Sequence, residues 1–243
     1  MSLPAALGVV PARFASTRFP GKPLAPILGK PMIQWVWESA RKARSLDRLI
    51  IATDDRRILE AAVAFGAEAM MTSPSHPSGT DRVAEVAALF DHPVVVNIQG
   101  DEPLLPPGAL DRLVEAFENP DVEAASLYSK VADLSRQADP DIVKVAADAK
   151  GNALYFSRAP IPSGAADYFG QHLGVYGYRR EFLFRFRGWP ASRLEKAERL
   201  EQLRILENGF AIRMVEVDRP TLSVDTPRDI IGVEKILAER NDG

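Results

Sequence analysis

Short apolar runs alternate with amphipathic segments through the first half of the chain. Leu7-Gly8-Val9-Val10, Leu49-Ile50-Ile51-Ala52 and Val94-Val95-Val96-Asn97-Ile98 are nearly continuous apolar runs, the pattern of parallel strands buried on both faces. Between them Ile33, Val36, Trp37 and Ala40 recur at i, i+3, i+4 and i+7, as do Ile58, Ala61, Ala62 and Phe65. That spacing predicts core-facing helices and makes neither Trp35 nor Trp37 a ligand stack. Helix starts are also legible. Ser78-Gly79-Thr80-Asp81 reads as an acidic variant of the capping box before a helix over 82–90. Thr226-Pro227-Arg228-Asp229 sets an N-cap Thr before a Pro at the first helical position. The pattern is βαβα, a parallel sheet wound on both faces.

The middle of the chain changes character. Residues 142–147, a polar turn at 148–152 and residues 153–158 read as an antiparallel pair. Residues 172–179 continue the strand-rich region, interrupted by Gly174 and Gly177. Residues 194–207 then predict one charged amphipathic helix, closed by Asn208-Gly209. A strand over 211–217 and a helix from 226 to about 239 complete the pattern. With no repeat or long linker, the expected organisation is a single domain: a core over about 1–120 and 190–243, carrying an insertion over about 120–190.

Composition narrows the class of partner. The 243 residues are 46% hydrophobic and 26% charged, as in a soluble globular chain. A net charge of −3 excludes a nucleic acid held across the whole surface, so any anion must be held locally. The absence of Cys excludes disulfides, thiol catalysis and cysteine-ligated metals, and fits a cytoplasmic protein. No window approaches the roughly 20 apolar residues of a membrane span. The N-terminus enters a strand pattern without the basic and apolar regions of a signal peptide.

The candidate chemistry begins at Val10-Pro11-Ala12-Arg13-Phe14-Ala15-Ser16-Thr17-Arg18-Phe19-Pro20-Gly21-Lys22-Pro23. Small residues expose backbone amides there, and Arg13, Arg18 and Lys22 add charge, which together suit several phosphates at once. It is not a Walker A loop, because Ser16 and Pro23 stand where that motif needs Gly and Ser or Thr. Nor does it contain G-x-G-x-x-G. A basic loop is equally a solvated surface, but a loop directly after the first strand lies where α/β sheets bind ligands. In Gln99-Gly100-Asp101-Glu102-Pro103, Gly100 permits close backbone approach, and Asp101 is either a Mg²⁺ ligand at the strand's carboxyl edge or part of a turn. Asp225, just before the last helix, reads on its own as part of a helix-entry turn. His172 in a strand reads as a satisfied core group, and Glu201 in a charged helix as a solvated face.

Taken together, the segments PARFASTRFPGKPL, GKPMI, IATDD, HPSGTDR, VNIQGDEPL, VKVAAD, ALYFSRAPIP, HLGVYGYR, LEQLR and SVDTPRD resemble one family, over residues 9 to about 237. That family is 3-deoxy-manno-octulosonate (KDO) cytidylyltransferase, the CMP-KDO synthetases of lipopolysaccharide biosynthesis. The first and fifth segments mark the wider CMP-sugar synthetase group, and HLGVYGYR with LEQLR narrows the match to the KDO enzymes. The resemblance implies a three-layer α/β/α Rossmann-like nucleotidyltransferase fold, with a mostly parallel mixed sheet and a smaller strand-rich insertion.

The resemblance also implies transfer of CMP from CTP to the 2-hydroxyl of KDO, with Mg²⁺ required, in a homodimer. By this resemblance Arg13 and Lys22 hold the triphosphate, with Pro11, Ala12, Ser16 and neighbouring amides. Pro77, Ser78, Gly79 and Arg82 lie at the cytosine, and Gln99 and Asp101 also touch CTP. Asp101 and Asp225 form the metal pair, which with Arg13 and Lys22 makes the catalytic set. Gln99, Arg158, His172, Tyr176, Glu201, Gln202 and Asp225 line the sugar pocket, a set suited to a carboxylate and a polyol. There are two departures from the family. The segment 161–171 is shorter than usual near the region of subunit contact, and Ser223 replaces a Gly. Rival readings are a synthetase for 8-amino-KDO or for a nine-carbon acid sugar such as sialic or legionaminic acid, and a non-catalytic nucleotide-sensing scaffold. Joint retention of Arg13, Lys22, Asp101 and Asp225 argues against the scaffold.

Overall fold

The structure, a computed structural model, describes residues 3–15, 19–165, 167–218 and 221–241. Along the chain run β1 (Ala6–Ala12), β2 (Pro26–Ile27), β3 (Lys30–Pro31), α1 (Met32–Ala40), β4 (Leu46–Thr53), α2 (Arg56–Ala64), β5 (Glu68–Met71), α3 (Gly79–Ala87), β6 (Val94–Asn97) and α4 (Pro107–Glu115). They are followed by β7 (Ala124–Val131), β8 (Lys144–Ala147), β9 (Ala153–Ser157), β10 (Phe169–Arg179), α5 (Arg180–Arg187), α6 (Arg193–Glu198), α7 (Leu203–Glu207), β11 (Arg213–Val217) and α8 (Pro227–Asn241). The fold is α/β with a mostly parallel sheet, and the chain divides into two compact units.

The first unit comprises Met1–Asp111 and Thr221–Gly243. Its strands lie in the order β6-β1-β4-β5, and each pairing is parallel. β1 is paired on both sides, which explains the apolar run from Leu7 to Val10. Each predicted helix-face residue of α1 is buried, and so are Ile58 and Ala62 of α2. The chain runs outward from β1 through β4 to β5, then returns to the other side of β1 as β6. This reversal makes a topological switch point, where the carboxyl ends of two neighbouring strands diverge and leave a crevice. Ile27, Met32, Leu104, Val224, Val233 and Leu237 form a core that packs α8 and the segment before it into the same unit. Trp35 supports this packing by donating its indole N–H to the Ile27 carbonyl at 2.8 Å.

The second unit, Arg112–Pro220, has β7 paired antiparallel to β10 and parallel to β11. β8 and β9 form the expected antiparallel pair. Their turn is closed by the Asp148 carboxylate, which accepts from the amides of Lys150 and Asn152. Residues 191–220, grouped with the core on sequence, belong to this unit.

Local details differ from the sequence pattern. The single helix expected over 194–207 is broken into α6 and α7 by Arg199, which takes a left-handed conformation at φ 57. Tertiary bonds override the periodicity there: Glu198 turns its carboxylate to Ser157 and Arg158, while Leu200 and Gln202 are buried. The α3 helix begins at Gly79 rather than at 82, capped by the Ser78 hydroxyl as expected. At the start of α8 the capping group is Asp229, whose Oδ2 accepts from the Asp225 and Thr226 amides and the Thr226 hydroxyl.

Candidate active site

The exits of β1 and β6 at the switch point carry one cluster of predicted residues. A Cβ on Gly100 would stand 2.9 Å from the Pro11 carbonyl oxygen. Glycine therefore lets the two strand exits approach and brings Asp101 to the rim. Lys22 opens the one-turn helix Lys22–Leu24, launched from Gly21 at φ 73. The Gly21 amide donates to the Phe14 carbonyl at 2.9 Å, and the Phe14 ring fills the place of a Gly21 side chain. The Arg57 guanidinium caps that ring at 3.3 Å from its centroid.

From this base the Lys22 ammonium donates to Asp101 Oδ2 at 2.7 Å and to the Val224 carbonyl at 2.8 Å. It lies 3.6 Å from Asp225 Oδ1. The Val224 amide donates to the Asp101 carbonyl at 2.9 Å, tying the two acid-bearing segments together. Two carboxylates distant in sequence thus converge on one cation. The side chain of Lys22 is 15% exposed and that of Asp101 28%, so their attraction is screened less than at an open surface. Burial, and secondarily the Asp101 and Asp225 charges, push the adjacent Glu102 carboxyl up to about 8. Its Oε2 accepts from the Thr221 hydroxyl. Burial also raises the Asp229 carboxyl, but the Thr226 and Asp225 amides outweigh it and hold the group below its ordinary value.

Arg13 follows β1 half-buried and makes no ion pair among the described residues. Pro11 and Ala12 end β1, and Pro11 lies against Gly79 at the first turn of α3. Ser78 and Pro77 precede that turn, with Pro77 exposed. Gln99 is half-buried beside Gly100. Arg82, expected at the cytosine, lies in the first turns of α3. Its side chain is fully buried, donating to Asp54 Oδ2 at 2.8 Å and to the Thr72 hydroxyl. These bonds anchor the first turn of α3, and the buried Nε has no partner among the described residues. Ser16 lies outside the described residues.

The remaining sugar-set residues belong to the second unit. Arg158 is held at several points. Its amide donates to Glu198 Oε2 at 3.0 Å, its Nε to the Glu198 carbonyl at 3.2 Å and its Nη1 to the Pro140 carbonyl at 2.9 Å. Its own carbonyl accepts from the buried Lys144 ammonium, which also serves the carbonyls of Asp139 and Ile142. Of five guanidinium N–H groups, two are engaged among the described residues, which leaves an edge able to take a carboxylate.

On β10, His172 stacks edge-on to Phe156 at 4.9 Å and tilts over Tyr176 at 5.5 Å. Burial lowers the His172 imidazole to about 3, so the ring is neutral. Burial, with Glu201 nearby, raises the Tyr176 phenol well above its ordinary value. Glu201 Oε1 accepts from Arg204 at 3.0 Å. Gln202 is 4% exposed, and its buried Nε2 has no partner among the described residues. An unpaired amide donor is expensive in a finished core.

Glu102, Ser126, Lys144 and Glu198 were not anticipated. Ser126 sits in an apolar strand run and Glu198 in a charged helix, so neither carries a local signal. Lys144 shows only as a cation in a strand pattern, and Glu102 only as a neighbour of Asp101.

Comparison with known proteins identifies the family. The sequence profile of the family described as Cytidylyltransferase matches residues 7–217. A 3-deoxy-manno-octulosonate cytidylyltransferase of Syntrophotalea carbinolica is 49% identical over 94% of this chain and 97% of its own length. One of Solibacter usitatus is 50% identical over 95% of this chain and 94% of its own. A solved structure of CMP:2-keto-3-deoxy-manno-octonic acid synthetase complexed with CTP superposes with a TM-score of 0.92 at 40% identity, covering 97% of this chain and 99% of that one. The chain belongs to the 3-deoxy-manno-octulosonate cytidylyltransferase family.

Proposed function

We propose that this chain activates KDO with CTP in a Mg²⁺-dependent reaction, giving CMP-KDO and pyrophosphate for lipopolysaccharide assembly. The observation that carries the reading is the convergence of Asp101, Asp225 and Lys22 at the crevice between β1 and β6. The sugar's 2-hydroxyl loses its proton to solvent as its oxygen bonds to the α-phosphorus, the α–β phosphoanhydride bond breaks, and pyrophosphate leaves with the electron pair. Catalysis of this kind is positioning and charge stabilisation. Arg13 and Lys22 hold the triphosphate and meet the charge that develops on it. The first turn of α3, with Pro77, Ser78 and Gly79, offers backbone groups to the base.

Asp101 and Asp225 are the residues that would hold Mg²⁺. Their fit is supported by the Lys22 ammonium, a cation already bound by the same pair, and by a set of two carboxylates that leaves coordination sites for phosphate and water. When bound, Mg²⁺ supplies Lewis acidity toward phosphate and lowers the pKa of the attacking hydroxyl. Arg158 takes the sugar carboxylate, and Gln99, His172, Tyr176, Glu201 and Gln202 take its hydroxyls, the buried Gln202 amide among them. We place the enzyme in the cytoplasm as a homodimer.

The test is pyrophosphate release from CTP with KDO, 8-amino-KDO and nine-carbon acid sugars, with and without Mg²⁺. Mg²⁺-dependent release with KDO is expected. Activity confined to a nine-carbon acid would overturn the substrate, and undiminished release in excess chelator would overturn the metal.

A further inference from the structure

The strand pair β7–β10 is irregular between Leu173 and Tyr176, where Gly174 and Val175 form a bulge opposite Ser126. A bulge interrupts the ladder and re-aims nearby groups. Here the carbonyls of Leu173 and Val175 both face the Ser126 hydroxyl, at 3.3 Å and 2.8 Å. The Ser126 oxygen also lies 2.9 Å from His172 Nε2. Ser126 is fully buried.

Donor counting decides this arrangement. A serine hydroxyl has one hydrogen and can accept through its oxygen, whereas a carbonyl can only accept. If the hydrogen went to His172, the 2.8 Å approach of the Val175 carbonyl to the Ser126 oxygen would be an unbridged contact between lone pairs. With the hydrogen on the carbonyl side, the hydroxyl oxygen can only accept from His172, so Nε2 carries the proton. Nδ1 is then a bare acceptor, and no hydrogen bond is made to it among the described residues. The neutral state of the ring is consistent with this assignment.

We propose that Ser126 is a positioning residue that locks His172 as the Nε2–H tautomer, so that Nδ1 accepts a hydrogen from a hydroxyl of the acidic sugar. The part played by the sugar rests on the cytidylyltransferase reading, whereas the lock itself does not. The bulge thereby links a fault in the sheet to the choice of substrate group: His172 meets a hydroxyl donor and offers nothing to a second acceptor.

The chain has three histidines, His76, His92 and His172, so two-bond ¹H–¹⁵N correlation on ¹⁵N-histidine protein reads this tautomer directly. The expected wild-type spectrum has His172 protonated at Nε2 and bare at Nδ1 between about pH 5 and 8. Ser126→Ala should produce a mixture of tautomers. It should also raise the sugar KM about tenfold, with kcat and the CTP KM within about twofold, the scale of one weakened hydrogen bond. His172→Asn, whose amide stands near Nδ1, should keep a lower sugar KM than His172→Gln, whose amide stands near Nε2. A wild-type proton on Nδ1 overturns the lock. An unaltered tautomer and sugar KM in Ser126→Ala remove Ser126 from the role. If that variant does not fold, the wild-type spectrum and the His172 pair decide. Failure of the wild type to release pyrophosphate with any acid sugar overturns the cytidylyltransferase reading instead, and the spectrum still tests the lock.

Discussion

Neutral His172 makes the stability of this protein depend on pH in a calculable way. In the native state the imidazole lies between Phe156 and Tyr176, with Ser126 on Nε2, and burial lowers it to about 3. In the unfolded chain it titrates near an ordinary value of about 6.5. Above about pH 7.5 both states are neutral, and the group adds no pH dependence. As pH falls through about 6.5 the unfolded chain binds a proton that the native ring does not, so stability is lost progressively until about pH 3. The slope approaches about 1.4 kcal/mol per pH unit, which gives a loss of about 2.5 kcal/mol between pH 7.5 and 4.5.

Carboxylates titrate in the same window, so the measurement is a difference. Urea unfolding of wild type and His172→Gln across pH 7.5 to 4.5 should show the variant losing less stability on acidification by about that amount. Independently, the His172 Cε1 proton should not titrate above about pH 4.5. Parallel pH profiles in the two proteins, or a native His172 midpoint above about 5.5, would refute the argument.

Three further predictions follow the cluster at the switch point and the guanidinium of the second unit. Asp101→Asn removes one charge from the pair around Lys22 and should lower kcat at least about 10²-fold at saturating Mg²⁺, about 3 kcal/mol of barrier; near-normal turnover would show that it is not required. Gly100→Ala sets a Cβ against the Pro11 carbonyl and should lower kcat about tenfold or more with a smaller loss of stability, because the exits of β1 and β6 must part; wild-type kinetics with unchanged urea stability would disprove the close approach. Arg158→Ala should raise the sugar KM about tenfold or more and leave the CTP KM near wild type; a selective rise in the CTP KM would reverse the assignment.

Much of the first unit was legible because its strands are buried on both faces and write themselves as unbroken apolar runs. The loop after β1 announced itself by its small residues and cations, and Gly100 by being a glycine at a strand exit. Asp225 was different. Its partnership with Asp101 depends on Val224 packing beside Ile27 and Leu104, a contact that no local pattern records. The break at Arg199 was hidden because nothing at that position favours a left-handed turn; Glu198 bonded to Ser157 and Arg158 holds it there. Arg82 was placed at the cytosine through the family resemblance alone, and its bonds to Asp54 and the Thr72 hydroxyl show only in the fold. The sugar set was named through family resemblance, and its supports, Ser126, Lys144 and Glu198, show only in the fold.

Lys22 lies between Asp101 and Asp225, so the crevice carries its own counter-ion. Two partly buried carboxylates facing one cation would otherwise repel each other, at about 4 kcal/mol for a pair 4 Å apart in a medium of intermediate polarity. On the proposed reading the same ammonium must later serve the triphosphate, and its flexible four-carbon stem allows that exchange while the Gly21 turn stays fixed. An inhibitor that copies only the phosphates would have to win Lys22 from the aspartates and leave both acids uncompensated. One that also brings a cation for the acids would meet a site already balanced to accept it.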